Sequence, residues 1–358
     1  SSAASDVYKR QITTILFFPL SKAGLYEIPD TVTTIPSSTF RDNKGLIKVV
    51  IPASVTSIGD EAFYSCSAMT TVEFLPGDTP LEFGDSVFRS CSALTEFTVP
   101  GRTVSTGTYM FGSCSALTKV TVAEGAKAIG DYAFYSCSKL TEIYFPSTIE
   151  KIGAYDEDGN LTAMNVFSSS NYIEKIVVAE GNAHFATSQG VLYAVKDGVI
   201  AELEYCPAMN AGVDGVITIP ATVTKVWDKA FYYNKAVAKI VFEESEDKER
   251  ELTLGTWLFY QTTNLVEGVL PHGVTNLSRE MFYHSGVQKV NVPNTVTMIE
   301  ANAFDYAKTL KTIVFEEGGT EPLVIADATT TSGSLSYLYA PFYGCVSLTE
   351  IALPERTS

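Results

Sequence analysis

Ala126–Pro146 reads AKAIGDYAFYSCSKLTEIYFP, and Ser54–Phe74 reads SVTSIGDEAFYSCSAMTTVEF. Aligned, both follow I-G-D-x-A-F-Y-S-C-S-x-[LM]-T-x-[VI]-x-F. A chain that repeats itself at a fixed period stacks copies of one unit, because a single unit cannot bury its apolar edge alone. One phenylalanine marks each copy: Phe40, Phe63, Phe88, Phe111, Phe134, Phe167, Phe231, Phe259, Phe282, Phe304 and Phe342. The base period is near 23, with insertions. The wide gap between Phe167 and Phe231 is read as holding one unusual copy, which brings the count to about twelve coils.

The physics of one coil follows from Ala133 to Ile152. Ala133, Phe134, Cys137 and Leu140 fall at helical-turn spacing, which predicts a short helical turn. Leu140, Ile143 and Phe145 alternate with the outward Glu142 and Tyr144, which predicts a short strand buried on one face. Pro146 ends it, since proline cannot donate to a ladder. Ser147 and Thr148 turn the chain, and Ile149 and Ile152 re-enter the interior. Coils stacked about 4.8 Å apart join such strands into a parallel sheet. Between Phe167 and Phe231, Val191–Val195 and Val199–Tyr205 alternate around Asp197-Gly198, a strong hairpin signal. A 20–29-residue period of this kind belongs to leucine-rich-repeat solenoids. The predicted fold class is a β-rich repeat solenoid: an α/β-type, right-handed leucine-rich-repeat solenoid with a parallel sheet, short helical turns and one hairpin insertion.

The motif I-P-x-[ST]-V-T-x-I-x-x-x-A-F recurs at Ile51–Phe63, Ile219–Phe231 and Val292–Phe304, with valine for isoleucine at Val226 and Val292. This resembles the BspA-like leucine-rich repeats, a surface-protein branch of the superfamily, over about Leu25 to Pro354. Asn182–Pro207 is similar to that family's hairpin-bearing variant, so a variant repeat is expected at about 178–218. The resemblance implies an extracellular or cell-surface protein that binds protein or glycan ligands in adhesion. Such a motif is specific for fold and weakly specific for activity.

Residues 1–11, SSAASDVYKRQ, match the translation of a transposon-type sequencing adapter and are read as non-native. Residues 12–358 are then expected to form a single solenoid. The pattern also stops midway near Leu353, so the expectation is a fragment of metagenomic type, truncated at both ends.

With 25 Lys+Arg against 41 Asp+Glu the net charge is −16, which lacks the basic footprint of a general nucleic-acid binder. No run approaches the roughly 18 apolar residues of a membrane span. The motifs G-x-S-x-G, H-E-x-x-H and G-x-x-x-x-G-K-[ST] do not occur. His184, His272 and His284 sit on separate coils, with no acid partner recurring by spacing. No enzyme, cofactor or metal is therefore expected. Asp156–Asn160 is faintly calcium-like, but Ala154 stands where that template wants an acid, and a turn of an inserted loop is the better reading. Glu243–Glu251 reads as a solvated loop.

Surface chemistry lies in columns of equivalent positions. The first outward strand position gives Lys48, Thr71, Glu96, Lys119, Glu142 and Lys175, then Lys239, Glu267, Lys289, Thr312 and Glu350. Cross-strand pairing accounts for the alternating signs; ligand reading is the alternative. The second position carries the candidate contact residues Tyr144, Val177, Val241, Val269 and Val314. These are either β-branched residues favoured by strand geometry or an apolar partner stripe. Tyr64, Tyr135, Tyr232, Tyr260, Tyr283 and Tyr343 each follow the buried phenylalanine. They form either a structural ring ladder or an adhesive aromatic stripe. Phe63, Phe88, Phe111, Phe134, Phe231, Phe259, Phe282 and Phe304 are assigned to a core ladder. Cys66, Cys91, Cys114 and Cys137 join it as buried free thiols, since stacked parallel positions point the same way. Two functions fit: a non-enzymatic surface binding protein, or a spacer that presents another domain.

Overall fold

The computed structural model describes residues 13–14, 18–20, 22–246, 251–326, 328–332, 335–355 and 357. The adapter-like segment 1–11 and residues 247–250 of the charged loop lie outside them. The chain divides into two compact units, one ending at Ser170 and one beginning at Asn171.

In the first unit Gly24–Glu27, Leu46–Ile51 and Thr71–Phe74 pair in parallel, and so do Glu96–Val99, Lys119–Val122 and Glu142–Phe145. The alternation sends Val49, Val120 and Ile143 inward, fully buried. The T-x-I segments form a second parallel row that the sequence did not flag as strands. It comprises Thr34–Ile35, Ser57–Ile58, Leu81–Phe83 and Thr103–Ser105, with Ala128–Ile129 pairing Lys151–Ile152. Ile149 and Ile152 are fully buried, as the coil reading expects.

The predicted helical turns are corrected: no helix occurs among the described residues. The reason is two left-handed residues per coil, two before and two after the phenylalanine. Glu61 and Ser65 (φ 54° and 59°), Tyr109 and Ser113, and Lys229 and Tyr233 are examples. Left-handed backbone breaks an i→i−4 run and turns alternate N–H groups toward the neighbouring coil. Glu61, Phe63 and Ser65 donate to the carbonyls of Asp85, Val87 and Arg89 at 2.8, 3.0 and 2.8 Å. The cost of a non-glycine left-handed residue, roughly 1–2 kcal/mol, is offset by these inter-coil bonds.

The I-G-D triplet has a matching explanation. A Cβ at Gly130 would lie 2.5 Å from the Thr106 carbonyl oxygen, so the coils approach too closely for any side chain. The aspartate after it accepts a backbone N–H of the next coil. Asp60 accepts from Asp85 at 2.8 Å, Asp85 from Thr108 at 2.7 Å, and Asp131 from Asn165 at 3.0 Å.

The phenylalanines form the core column. Phe40–Phe63, Phe63–Phe88 and Phe111–Phe134 stack at 4.7, 5.3 and 5.7 Å, and Phe134 continues to Phe167 at 6.0 Å.

The second unit repeats the plan. Val216–Ile219, Lys239–Phe242, Glu267–Val269, Lys289–Val292 and Thr312–Phe315 form one parallel sheet. Phe231, Phe259, Phe282, Phe304 and Phe342 stack at 5.0–5.6 Å. The expected hairpin is present: Val191–Lys196 pairs antiparallel with Val199–Tyr205, and Asp197 and Gly198 both take positive φ. A third strand, Phe185–Ser188, joins through Gln189-Gly190, a second turn with positive φ at both residues. Val199–Tyr205 then pairs in parallel with Lys225–Val226, which merges the hairpin into the T-x-V row.

Candidate functional site

The cysteine column is a hydrogen-bond column. Cys66, Cys91, Cys114 and Cys137 donate Sγ–H to the carbonyls of Phe40, Phe63, Phe88 and Phe111 at 3.0–3.2 Å, one coil back. Ser170 Oγ and Cys345 Sγ do the same to Phe134 and Phe304. The interchange of Cys and Ser therefore conserves a small donor. All six cysteines are free and buried. Burial pushes the Cys66 and Cys114 thiols up to about 12. A thiolate is the reactive form, so these thiols are inert. Ellman's reagent is expected to react with none of the six in the folded chain and with all six in denaturant. Prompt reaction of the native protein would contradict the buried assignment.

On the sheets, Lys48 pairs diagonally with Glu73 at 2.6 Å and Lys239 directly with Glu267 at 3.8 Å, which favours the cross-strand account of the charge column. Glu96, Lys119 and Glu142 lie in register. Tyr144 donates its hydroxyl to Glu142 at 3.0 Å and lies under Lys119. Val177 and Val241 are half-buried, whereas Val269 and Val314 are 37% and 43% exposed. Asn291 stands between Val269 and Val314 in register, so the apolar stripe is interrupted.

The tyrosine column is the most extended feature. In the second unit Tyr232, Tyr260 and Tyr283 stack face to face at 4.8 and 4.7 Å. His284 then stacks on Tyr306 at 4.9 Å, and Tyr306 meets the edge of Tyr343 at 5.4 Å. His284 and Tyr306 belong to the left-handed position after the tyrosine, so sequence spacing alone did not place them in the row. In the first unit Tyr135 meets Tyr109 and Tyr132 edge-on, and those two stack at 4.7 Å. Tyr64 is covered by Arg41 at 4.5 Å. Further cations cover rings of the second unit: Lys225 lies over Trp227, Lys235 over Tyr233 and Lys229 over Trp257, at 3.3, 5.8 and 4.8 Å. Ring faces are thus largely occupied along Tyr232, Tyr260 and Tyr283, whereas Tyr343 at the end of the row is 56% exposed.

Two carboxyl groups stand apart. Glu204, on the hairpin strand, is 2% exposed, and its Oε2 has no hydrogen-bond partner. Burial pushes it up to about 8, with Glu202 adding to the shift. Glu202 itself is held by Lys196 and by Trp227 Nε1 at 2.8 Å. Asp305 is 5% exposed, and burial raises it to about 6.

His272 meets an acid the spacing did not show: Glu316 lies 3.4 Å from its Nε2, on an exposed surface. Asp156 accepts the backbone N–H of Asn160 at 2.8 Å, which makes that segment a turn between Ala154–Tyr155 and Leu161–Ala163. A cleft of about 530 Å³ opens beside Leu75–Asp78, Gly101 and Arg102. Arg102 straps that loop down by donating to the carbonyls of Val55 and Thr79 at 2.6 and 3.1 Å. No helix among the described residues is long and apolar enough to cross a membrane.

Rows of parallel strands, a phenylalanine column and inter-coil turn bonds define a repeat protein of the leucine-rich class. The BspA type leucine rich repeat region matches in six copies, over residues 11–123, 75–182 and 215–321, and the chain belongs to that family. Its fold is similar to the pneumococcal vaccine antigen PcpA, at 22% identity and a TM-score of 0.73, over 95% of this chain and 80% of that one. A leucine rich cell surface protein from Faecalibacterium prausnitzii is 22% identical with a TM-score of 0.55, over 85% and 90% of the two chains. A leucine-rich repeat protein from Bacteroides ovatus is 19% identical with a TM-score of 0.56, over 93% and 87%. No curated protein matches the chain.

Proposed function

We propose that this chain is a non-enzymatic cell-surface protein that binds a protein partner in adhesion, through the tyrosine row of its second unit. The observation that carries the proposal is the run Tyr232, Tyr260, Tyr283, His284, Tyr306, Tyr343, an unbroken row of aromatic side chains over successive coils. Tyrosine gives rigid contact area with a polar tip, and interfaces are enriched in it. The occupied ring faces favour a protein partner over a glycan, because sugars stack on open faces. A surface location is supported by the description of the F. prausnitzii relative as a cell surface protein. The same face-to-face stacking also supports a spacer role, in which the row only seals coil to coil.

Phenylalanine separates the two. Replacing Tyr232, Tyr260 and Tyr283 by phenylalanine keeps the stack and removes three hydroxyls. The full chain is tested on purified extracellular-matrix proteins and on a glycan array. The expected result is capture of a matrix protein, weakened at least about tenfold in the triple phenylalanine variant, which still unfolds in one cooperative transition. Wild-type affinity in that variant, or binding to glycans alone, would remove the proposal. Alanine at the same three positions is expected to lower stability as well, by about 0.5–1.5 kcal/mol per ring pair in addition to the lost burial of each ring.

A further inference from the structure

Along the tyrosine row, Asp305 has no positive partner. Its Oδ1 has no hydrogen-bond partner, and neither has Oδ1 of Asn302, which is equally buried three residues earlier on the same turn. The rest of the Asp305 carboxylate accepts the backbone N–H of Tyr343. The charged and titratable groups around it are Glu280, Tyr283, His284, Tyr306, Tyr343 and Cys345. Glu280 is already satisfied, by Trp257 Nε1 at 2.9 Å and by Arg279 Nε at 3.3 Å. Lys308 acts on His284. Burial raises the Tyr283 phenol, and Glu280 and Asp305 add to the shift, so negative charge gathers along this stretch of the row.

Earlier in the same unit the chain supplies its own cations, with Lys225, Lys235 and Lys229 over Trp227, Tyr233 and Trp257. Among the described residues no lysine or arginine covers Tyr283, Tyr306 or Tyr343, and Tyr343 is 56% exposed. We propose that the edge from Glu280 to Tyr343 takes a basic side chain of the partner protein, a lysine or arginine that lies over the exposed ring of Tyr343 beside Asp305 and Glu280. An ammonium or guanidinium group complements the negative charge of Asp305 and Glu280, and the electron-rich face of the exposed Tyr343 ring attracts it. A bare metal ion fits less well, since it wants several oxygen ligands, and no group of three His, Cys, Asp or Glu side chains converges among the described residues. The inference rests on the proposed use of the tyrosine row as a contact edge and adds the chemistry of what it reads.

The test uses the full chain with ¹³C-labelled tyrosine, followed by NMR. The probes are hexa-lysine and the same peptide with every ε-amine acetylated. Hexa-lysine is expected to shift Tyr283, Tyr306 and Tyr343, and the acetylated peptide to shift none. Asp305→Asn is close to isosteric and is expected to weaken hexa-lysine at least about tenfold. Glu73→Gln, in the first unit, should leave it unchanged. Affinity should fall as pH drops through about 6, because protonation of Asp305 removes the attraction. Wild-type affinity in Asp305→Asn, or equal shifts at Tyr64, Tyr109 and Tyr135, would overturn the inference, the latter marking diffuse attraction to an acidic chain. If the triple phenylalanine variant loses a captured matrix protein while Asp305→Asn keeps it, the contact edge stands and the cation reading falls.

Discussion

Phe134→Ala is expected to lower the stability of the first unit by about 3–5 kcal/mol. The ring is fully buried and stacks on Phe111 at 5.7 Å and on Phe167 at 6.0 Å. Its loss therefore removes two ring contacts and leaves a hole lined by residues of three coils. The backbone there is tied across coils, with Phe111 N–H on Ala133 and Phe134 N–H on Val166. Those ties resist collapse of the cavity, which puts the cost toward the upper end of the range. Because repeats couple mainly to nearest neighbours, the damage should stay local. Hydrogen exchange is expected to accelerate in the coils of Phe111, Phe134 and Phe167 and to remain near wild type around Phe40. Phe134→Leu should cost much less, since it keeps most of the volume. An unfolding free energy from urea titration for Phe134→Ala within about 1 kcal/mol of wild type would show that the phenylalanine column does not hold the coils together.

The second large effect concerns pH. Glu204 lies buried beside Glu202, Lys225 and Lys196, and its carboxyl titrates at about 8 when folded against an ordinary 4.5. Its folded value is raised, so the proton is held more tightly in the native state than in the unfolded chain. The stabilisation is complete below about pH 4.5 and is lost as pH rises toward about 8. Across that window the change amounts to up to about 5 kcal/mol. The acidic chain also repels itself more as pH rises, and Asp305 contributes near pH 6, but both terms are common to wild type and variant. The difference between wild type and Glu204→Gln therefore isolates Glu204. Urea midpoints from pH 5 to 9 are expected to fall for wild type and to fall much less for Glu204→Gln. The variant should be the more stable of the two at pH 9. Parallel curves would mean that Glu204 reaches water or a partner in the folded state.

The same contrast between local and assembled chemistry separates what was legible in the sequence from what was not. Periodicity was enough for the stacked coils, because a buried phenylalanine every 23 or so residues has one economical solution: one ring on the next. Alternation was enough for the longer strand of each coil, though not for the T-x-I row, and Asp197-Gly198 was enough for the hairpin, because those signals act over two to six residues. The helical turns were misread for a physical reason. Apolar spacing of three and four fits a helix, but it fits equally an arc whose N–H groups alternate between their own turn and the neighbouring coil. Left-handed Ser65, Tyr109 and Lys229 carry no mark in sequence, since only inter-coil hydrogen bonds make that backbone affordable there.

The site divides in the same way. The tyrosine column was visible as a register of one residue type, Tyr232, Tyr260 and Tyr283 among them. That His284 and Tyr306 extend it, and that ring faces close on one another from Tyr232 to Tyr283, depends on how far each coil is offset from the last. Cys66, Cys91, Cys114 and Cys137 could be placed inward from spacing alone. Their role as donors to the phenylalanine carbonyl one coil back could not, because the partner lies more than twenty residues away. By itself, then, the sequence determined the repeat, the core column and the family. Only the tertiary structure decided which polar groups meet across coils and which, like Oε2 of Glu204 and Oδ1 of Asp305, are left without a partner. Residue type sets what a side chain can bond; stacking sets what is within reach.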